Sequence, residues 1–211
     1  MEYSLVSDAS VDLMQYNLII ITDNFKFDKQ AIDKLKTWAN YGKNTLIGVG
    51  QAYQCLNELG IANINTLKKT ENINQSTYLD FSTKTDIDPN SIISGVILES
   101  YLDKSHPVAY GMNANTINTI KTNPTILSKP KGKYMSPAYY KKKPFLSGCI
   151  TAKNLKSLAE TPSVLASKNA IYFADEPCFR AYWFGSMRLL LNSIFFRELM
   201  PVEKIETVDS K

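Results

Sequence analysis

The stretch Thr45-Leu-Ile-Gly-Val-Gly50-Gln-Ala-Tyr-Gln-Cys55-Leu-Asn-Glu-Leu-Gly60 decides the fold. Its first five residues read as a buried strand, covered on both faces. A sharp Gly50 turn follows, and Ala52, Cys55, Leu56 and Leu59 then recur at helical spacing up to a second glycine stop at Gly60. Upstream, Asn17-Leu-Ile-Ile-Ile-Thr22 reads as another doubly covered strand ending at Asp23-Asn24. Asp28 opens a helix with Ile32, Leu35, Trp38 and Ala39 on one face, closed by Gly42. Tyr3-Ser-Leu-Val6 alternates weakly and reads as a further strand, with a turn at Ser7-Asp8. Strands alternating with helices at such short spacing predict an α/β fold with a doubly wound, mostly parallel sheet.

The chain has 211 residues with 44% hydrophobic content, which fits one domain spanning 1–211. From about 61 to 95 the rhythm fails in an Asn-rich polar stretch with a turn at Asp86-Ile-Asp-Pro89, read as a surface excursion from the sheet. Strand character resumes at Gly95-Val-Ile-Leu98. Lys129 to Lys143 packs six lysines around Tyr134, Tyr139 and Tyr140; this reads as a solvated loop anchored by tyrosines rather than a stacking surface for nucleic acid. The longest apolar runs are too short to cross a bilayer, so no membrane span is expected. A net charge of +4 carried mainly by lysine argues against a dedicated nucleic-acid partner. Three cysteines without CxxC spacing leave the redox compartment open.

In an open parallel sheet, ligands collect beyond the carboxyl ends of the strands. The candidate cleft residues are therefore Asp23, Gly50, Gln51, Asp175 and Glu176, joined by Arg180 and by His106, the only histidine. A strand, a Gly turn and a helix also build the nucleophile elbow, whose pattern is G-x-nucleophile-x-G. Here it reads Gly48-Val49-Gly50-Gln51-Ala52, with glycine at the nucleophile's place. Cys55 lies on the apolar face of the helix and reads as packing. His106 before Pro107 reads as a turn residue whose ring caps backbone or packs on Tyr110, with a ligand contact as the alternative. One histidine cannot supply the usual zinc sets, so no metal and no catalytic residue is assigned in this chain. All three arginines lie after residue 179, and an Arg180 pair with Asp175 or Glu176 is expected to lock the last helix to the sheet.

An ordered set of motifs resembles one accessory domain. They are Gly95-Val-Ile-Leu98, Leu102-Asp103, His106-Pro107, Tyr110-Gly111, Pro144-Phe-Leu-Ser147-Gly148, Phe173-Ala-Asp175, Phe179-Arg180, Trp183-Phe-Gly185 and Arg188-Leu to Asn192-Ser-Ile-Phe-Phe196. Residues 3 to 198 are similar to the class I glutamine-amidotransferase-like domain at the carboxyl end of some bacterial carboxypeptidase-A-type zinc carboxypeptidases. The resemblance implies a flavodoxin-like sheet, with the chain starting at the fold's second strand and lacking its first strand and helix. It implies a non-catalytic accessory domain, with zinc and peptidase chemistry in an upstream domain of an often exported parent, periplasmic or extracellular, although a cytoplasmic setting stays open. Partners would be that upstream domain or a second copy. The alternative is a free-standing module that binds a small molecule or peptide. Working amidotransferases of this fold use an elbow Cys and a late His-Glu pair; with Gly50 at the elbow and no histidine after His106, glutaminase chemistry is not carried over.

Overall fold

The computed structural model describes residues 3–6, 11–22, 28–41, 43–67, 93 and 95–209. In chain order the strands and helices are β1 (Leu18–Ile21), α1 (Lys29–Ala39), β2 (Thr45–Val49), α2 (Tyr53–Glu58), β3 (Ala62–Asn63), β4 (Val96–Leu102) and β5 (Thr116–Lys121). There follow β6 (Ala138–Gly148), α3 (Ala152–Leu158), β7 (Pro162–Ala166), β8 (Ala170–Phe173), α4 (Phe184–Phe195) and β9 (Ile205–Glu206). A seven-stranded sheet has the order β1-β2-β8-β7-β6-β4-β5, and β3 pairs with β9 beside it. β1, β2 and β8 are mutually parallel neighbours. Beyond β8 each neighbouring pair is antiparallel, because β7 and β4 run against the other five strands.

The fold is α/β, and the sheet has helices on both faces. Leu46 and Tyr172 pack with Ile32, Leu35 and Trp38 of α1 and Leu56 of α2. The alternate residues Ile47, Val49, Ile171 and Phe173 pack against Leu189 and Ile194 of α4. β2, β7 and β8 are buried along their whole length, the polar Thr45 and Ser163 included, as strands covered on both faces are. Asp28 caps α1 through a 2.7 Å bond from the Ala31 amide, and Ile32, Leu35, Trp38 and Ala39 form its buried face, as the sequence predicts.

Three expectations are corrected. Tyr3–Val6 forms no strand: Tyr3 and Leu5 are 86% and 94% exposed and pair with nothing in the sheet. β1 is not covered on both faces but is the edge of the sheet, with Ile20 at 42% exposure. The Lys129–Lys143 run is not all loop, because β6 begins inside it. There Ala138 and Tyr140 point inward while Tyr139 and Lys141 face outward, so a period-two signal lay inside the lysine cluster. Pro144, which has no N–H for a ladder, falls in the irregular stretch between the Tyr140–Ser100 and Phe145–Leu98 pairs. Of the proposed excursion at 61–95, residues 62 and 63 form β3, and most of the remainder lies outside the described residues, as do Ser7, Asp8 and Gly42.

Candidate functional site

β2 runs into Gly50 at φ +63°, then through a single 3-10 turn into α2. A β-carbon at Gly48 would lie 3.0 Å from Leu56 Cδ1 and 3.3 Å from Ala52 Cβ, so strand and helix meet closely only because small residues stand at 48 and 52. The elbow geometry is therefore built, with a hydrogen where a nucleophile would project. The Gly50 carbonyl accepts a hydrogen bond from the Tyr172 hydroxyl, and Tyr53 packs edge-on against the Tyr172 ring. Gln51 is exposed at this turn. Cys55 is buried in the α1–α2 core, and burial, helped by the Glu58 charge, pushes its thiol up to about 11. It is a packing residue, as expected.

The chain leaving β8 does not stop at the rim. The Ala174 amide donates to the Ser163 carbonyl, and the Glu176 amide reaches Ile120 of β5 at 3.4 Å, so the sheet curls until its far edge meets this segment. Asp175 points into the curl, where it accepts hydrogen bonds from Tyr140 Oη (2.5 Å) and Thr119 Oγ1 (2.6 Å) and forms an ion pair with Lys121 Nζ (3.2 Å). Lys121 Nζ also donates to the Ala174 carbonyl. The lysine and aspartate side chains are 0% and 5% exposed. Burial, then the Asp175 charge, raises the Tyr140 phenol well above its ordinary value. Glu176, next in sequence, faces the other way and accepts from Thr122 Oγ1 at 2.7 Å.

The expected Arg180 pair is thus replaced by a lysine pair. Arg180 is exposed, its guanidinium lies 5.2 Å from the Phe179 ring centre, and no ion pair among the described residues joins it to Asp175 or Glu176. The reason is its backbone. Arg180 and Ala181 both adopt left-handed φ, at 50° and 58°, which turns the side chain outward at the start of the approach to α4. Two such residues in succession store about 1–3 kcal/mol each.

His106 is a cap, as one of its two readings had it: its Nδ1 accepts from the Val108 amide at 3.2 Å at the start of the 107–109 turn. Burial lowers its pKa, against opposing effects of Asp103 and the Tyr134 backbone. Asp23 lies outside the described residues. Gly50 and Asp175 lie just beyond the paired strand ends Val49 and Phe173, on one rim of the sheet, while Gly50, His106 and Asp175 each bond to a separate set of partners. Among the described residues no group of three His, Cys, Asp or Glu side chains is placed to hold a metal, and no helix is long and apolar enough to cross a membrane.

The aromatic segment forms a different feature. Trp183 Nε1 donates to the Asn118 carbonyl on the free edge of β5 at 3.0 Å. Tyr182, Trp183, Phe184 and Gly185 face Met112, Thr116 and Asn118 across a groove of about 360 Å³. Below it, α4 is fixed by Ser186 Oγ bonded to the Pro177 carbonyl and by Asn192 Nδ2 donating to the carbonyls of Val108 and Tyr110. Sequence reasoning missed Lys121, Thr119 and Tyr140, and it gave this groove no role.

No protein-family model matches the chain, and no curated protein matches it. Among solved structures it is similar to a GMP-synthase-type protein from Thermoplasma acidophilum, with a TM-score of 0.47 and 8% identity over 90% of this chain and 81% of that one.

Proposed function

We propose that this chain is a non-catalytic interaction domain, and that the chemistry of a zinc-carboxypeptidase-type parent, zinc included, belongs to a domain outside it. The observation that carries the first half is the elbow at Gly50, where the position that would hold a nucleophile carries none and its carbonyl is tied to Tyr172. Three further groups suited to nucleophilic work are also withdrawn. The Cys55 and Cys178 thiols are both raised by burial, and His106 spends its Nδ1 on a backbone cap. The order of motifs from Gly95 to Phe196 supports the second half.

A second reading, a module that binds a small molecule or peptide, is favoured by the groove at Tyr182–Phe184, which joins aromatic faces to the polar Thr116 and Asn118. Its ligand would meet that groove rather than Asp175, which is enclosed. The test of the leading reading is turnover by the purified chain on glutamine and on activated esters. Rates at the buffer background are expected; turnover lost in Cys55→Ala, Cys178→Ala or His106→Asn would overturn it.

A further inference from the structure

One face of α4 has no partner among the described residues. Ser186, Leu189, Asn192, Ser193 and Ile194 are buried, whereas Phe184 and Phe195 are 71% and 64% exposed and Leu191 is 40% exposed. At 100° per residue, positions 184, 188, 191 and 195 fall within an arc of about 60°, a stripe on the solvent side. Its one charge, Arg188, leans away: Nε donates to the Tyr110 carbonyl, and the guanidinium lies over Gly111 in the space a β-carbon would need. Tyr110, Tyr182 and Leu199, at 63%, 56% and 69% exposure, extend the apolar surface around the stripe.

We infer that this face is where two copies of the chain associate, α4 against α4 of the second copy, antiparallel about a twofold axis. The spacing fits that occupant. The steps from Phe184 to Arg188, Leu191 and Phe195 are four, three and four residues, a sequence that reads the same in both directions. A twofold axis at the centre of the stripe therefore sets Phe184 against Phe195 of the second copy and Arg188 against Leu191 at each of two equivalent places. The area agrees. With about 150–250 Å² for a fully exposed aromatic side chain, the patch offers about 700 Å² per copy. That is above the ~300–600 Å² of the largest apolar patch on a typical monomer and close to the ~800 Å² each partner gives to a stable interface.

This deepens the interaction-domain reading by naming its partner, and the two fail separately. Turnover would overturn that reading without changing the mass, and a monomeric mass would overturn the association alone. The test is sedimentation equilibrium of the purified full chain. The wild type is expected at twice 23.7 kDa. Phe184→Lys and Phe195→Glu, both at exposed positions, are each expected to sediment as monomers with unchanged far-UV circular dichroism. Mixing the two variants is expected to restore the dimer, because one end then pairs the introduced lysine with the introduced glutamate while the other keeps Phe against Phe. A wild type at 23.7 kDa, variants that stay dimeric, or a mixture that stays monomeric would each overturn the proposal.

Discussion

Replacing Lys121 by methionine should cost the fold about 3–5 kcal/mol, because it leaves a buried carboxylate without its counter-charge. Methionine fills most of the lysine's volume, so cavity effects stay small. Asp175 would keep its bonds from Thr119 and Tyr140, but its side chain is 5% exposed and water cannot replace the ammonium 3.2 Å away. For a domain of this size each kcal/mol lowers Tm by about 2–4 °C, so the variant should melt about 6–20 °C below the wild type. Adding Asp175→Asn removes the orphaned charge and should recover part of the loss, a non-additivity that marks direct coupling. The assay is urea unfolding followed by circular dichroism and by tryptophan fluorescence. Arg180→Ala is the control: Arg180 is exposed and its guanidinium rests on the Phe179 ring, so its loss should cost less than about 1 kcal/mol. The reasoning is refuted if Lys121→Met costs under about 1 kcal/mol, the range of a surface pair, or if Arg180→Ala costs as much.

Gly148→Ala should destabilise by about 2–4 kcal/mol in the same assay, since its φ is +107° and the new methyl would run into the Gly95 carbonyl oxygen and lie 2.8 Å from Val96 Cα. Arg180→Gly should instead stabilise by about 1 kcal/mol, by relieving a left-handed residue. The His106 pKa is lowered by burial, so the unfolded chain binds its proton more readily than the folded one. Stability from this group is then full above the ordinary value of 6.5 and is lost as pH falls through it; urea midpoints from pH 8 to 5.5 should show that slope in the wild type and not in His106→Asn. Alkylation of the native chain at pH 8 should modify the exposed Cys149 and spare Cys55, whose thiol is at about 11; mass spectrometry of peptides reports which sulfur reacts.

The parallel half of the fold was legible because its signals are local. β2 reads as a buried strand, α1 has its Asp28 cap and a clean apolar face, and the elbow is written in Gly48, Gly50 and Ala52. The antiparallel half was harder to read. β4 alternates buried residues with half-buried or exposed ones, but its neighbours in the sheet are set by pairings across long stretches of chain. The Asp175 site was illegible for the same reason: Lys121 and Tyr140 lie 54 and 35 residues away, and a lysine beside two threonines reads as solvent-facing because buried lysine is rare. Arginine's affinity for carboxylates favoured Arg180, yet two left-handed backbone angles that no sequence pattern announces turned it away. The exposed stripe of α4 was written in the sequence as apolar residues, but which of them face the sheet depends on where the helix packs.

Immunoblotting of size-fractionated extract from the source cells against this domain tests the central claim most directly. An interaction domain of a larger protein should appear on a denaturing gel well above 23.7 kDa, and that band should carry zinc and peptidase activity when isolated. A band at 23.7 kDa that also elutes as a free monomer would contradict the account and make the Tyr182–Phe184 groove the place to look for a ligand.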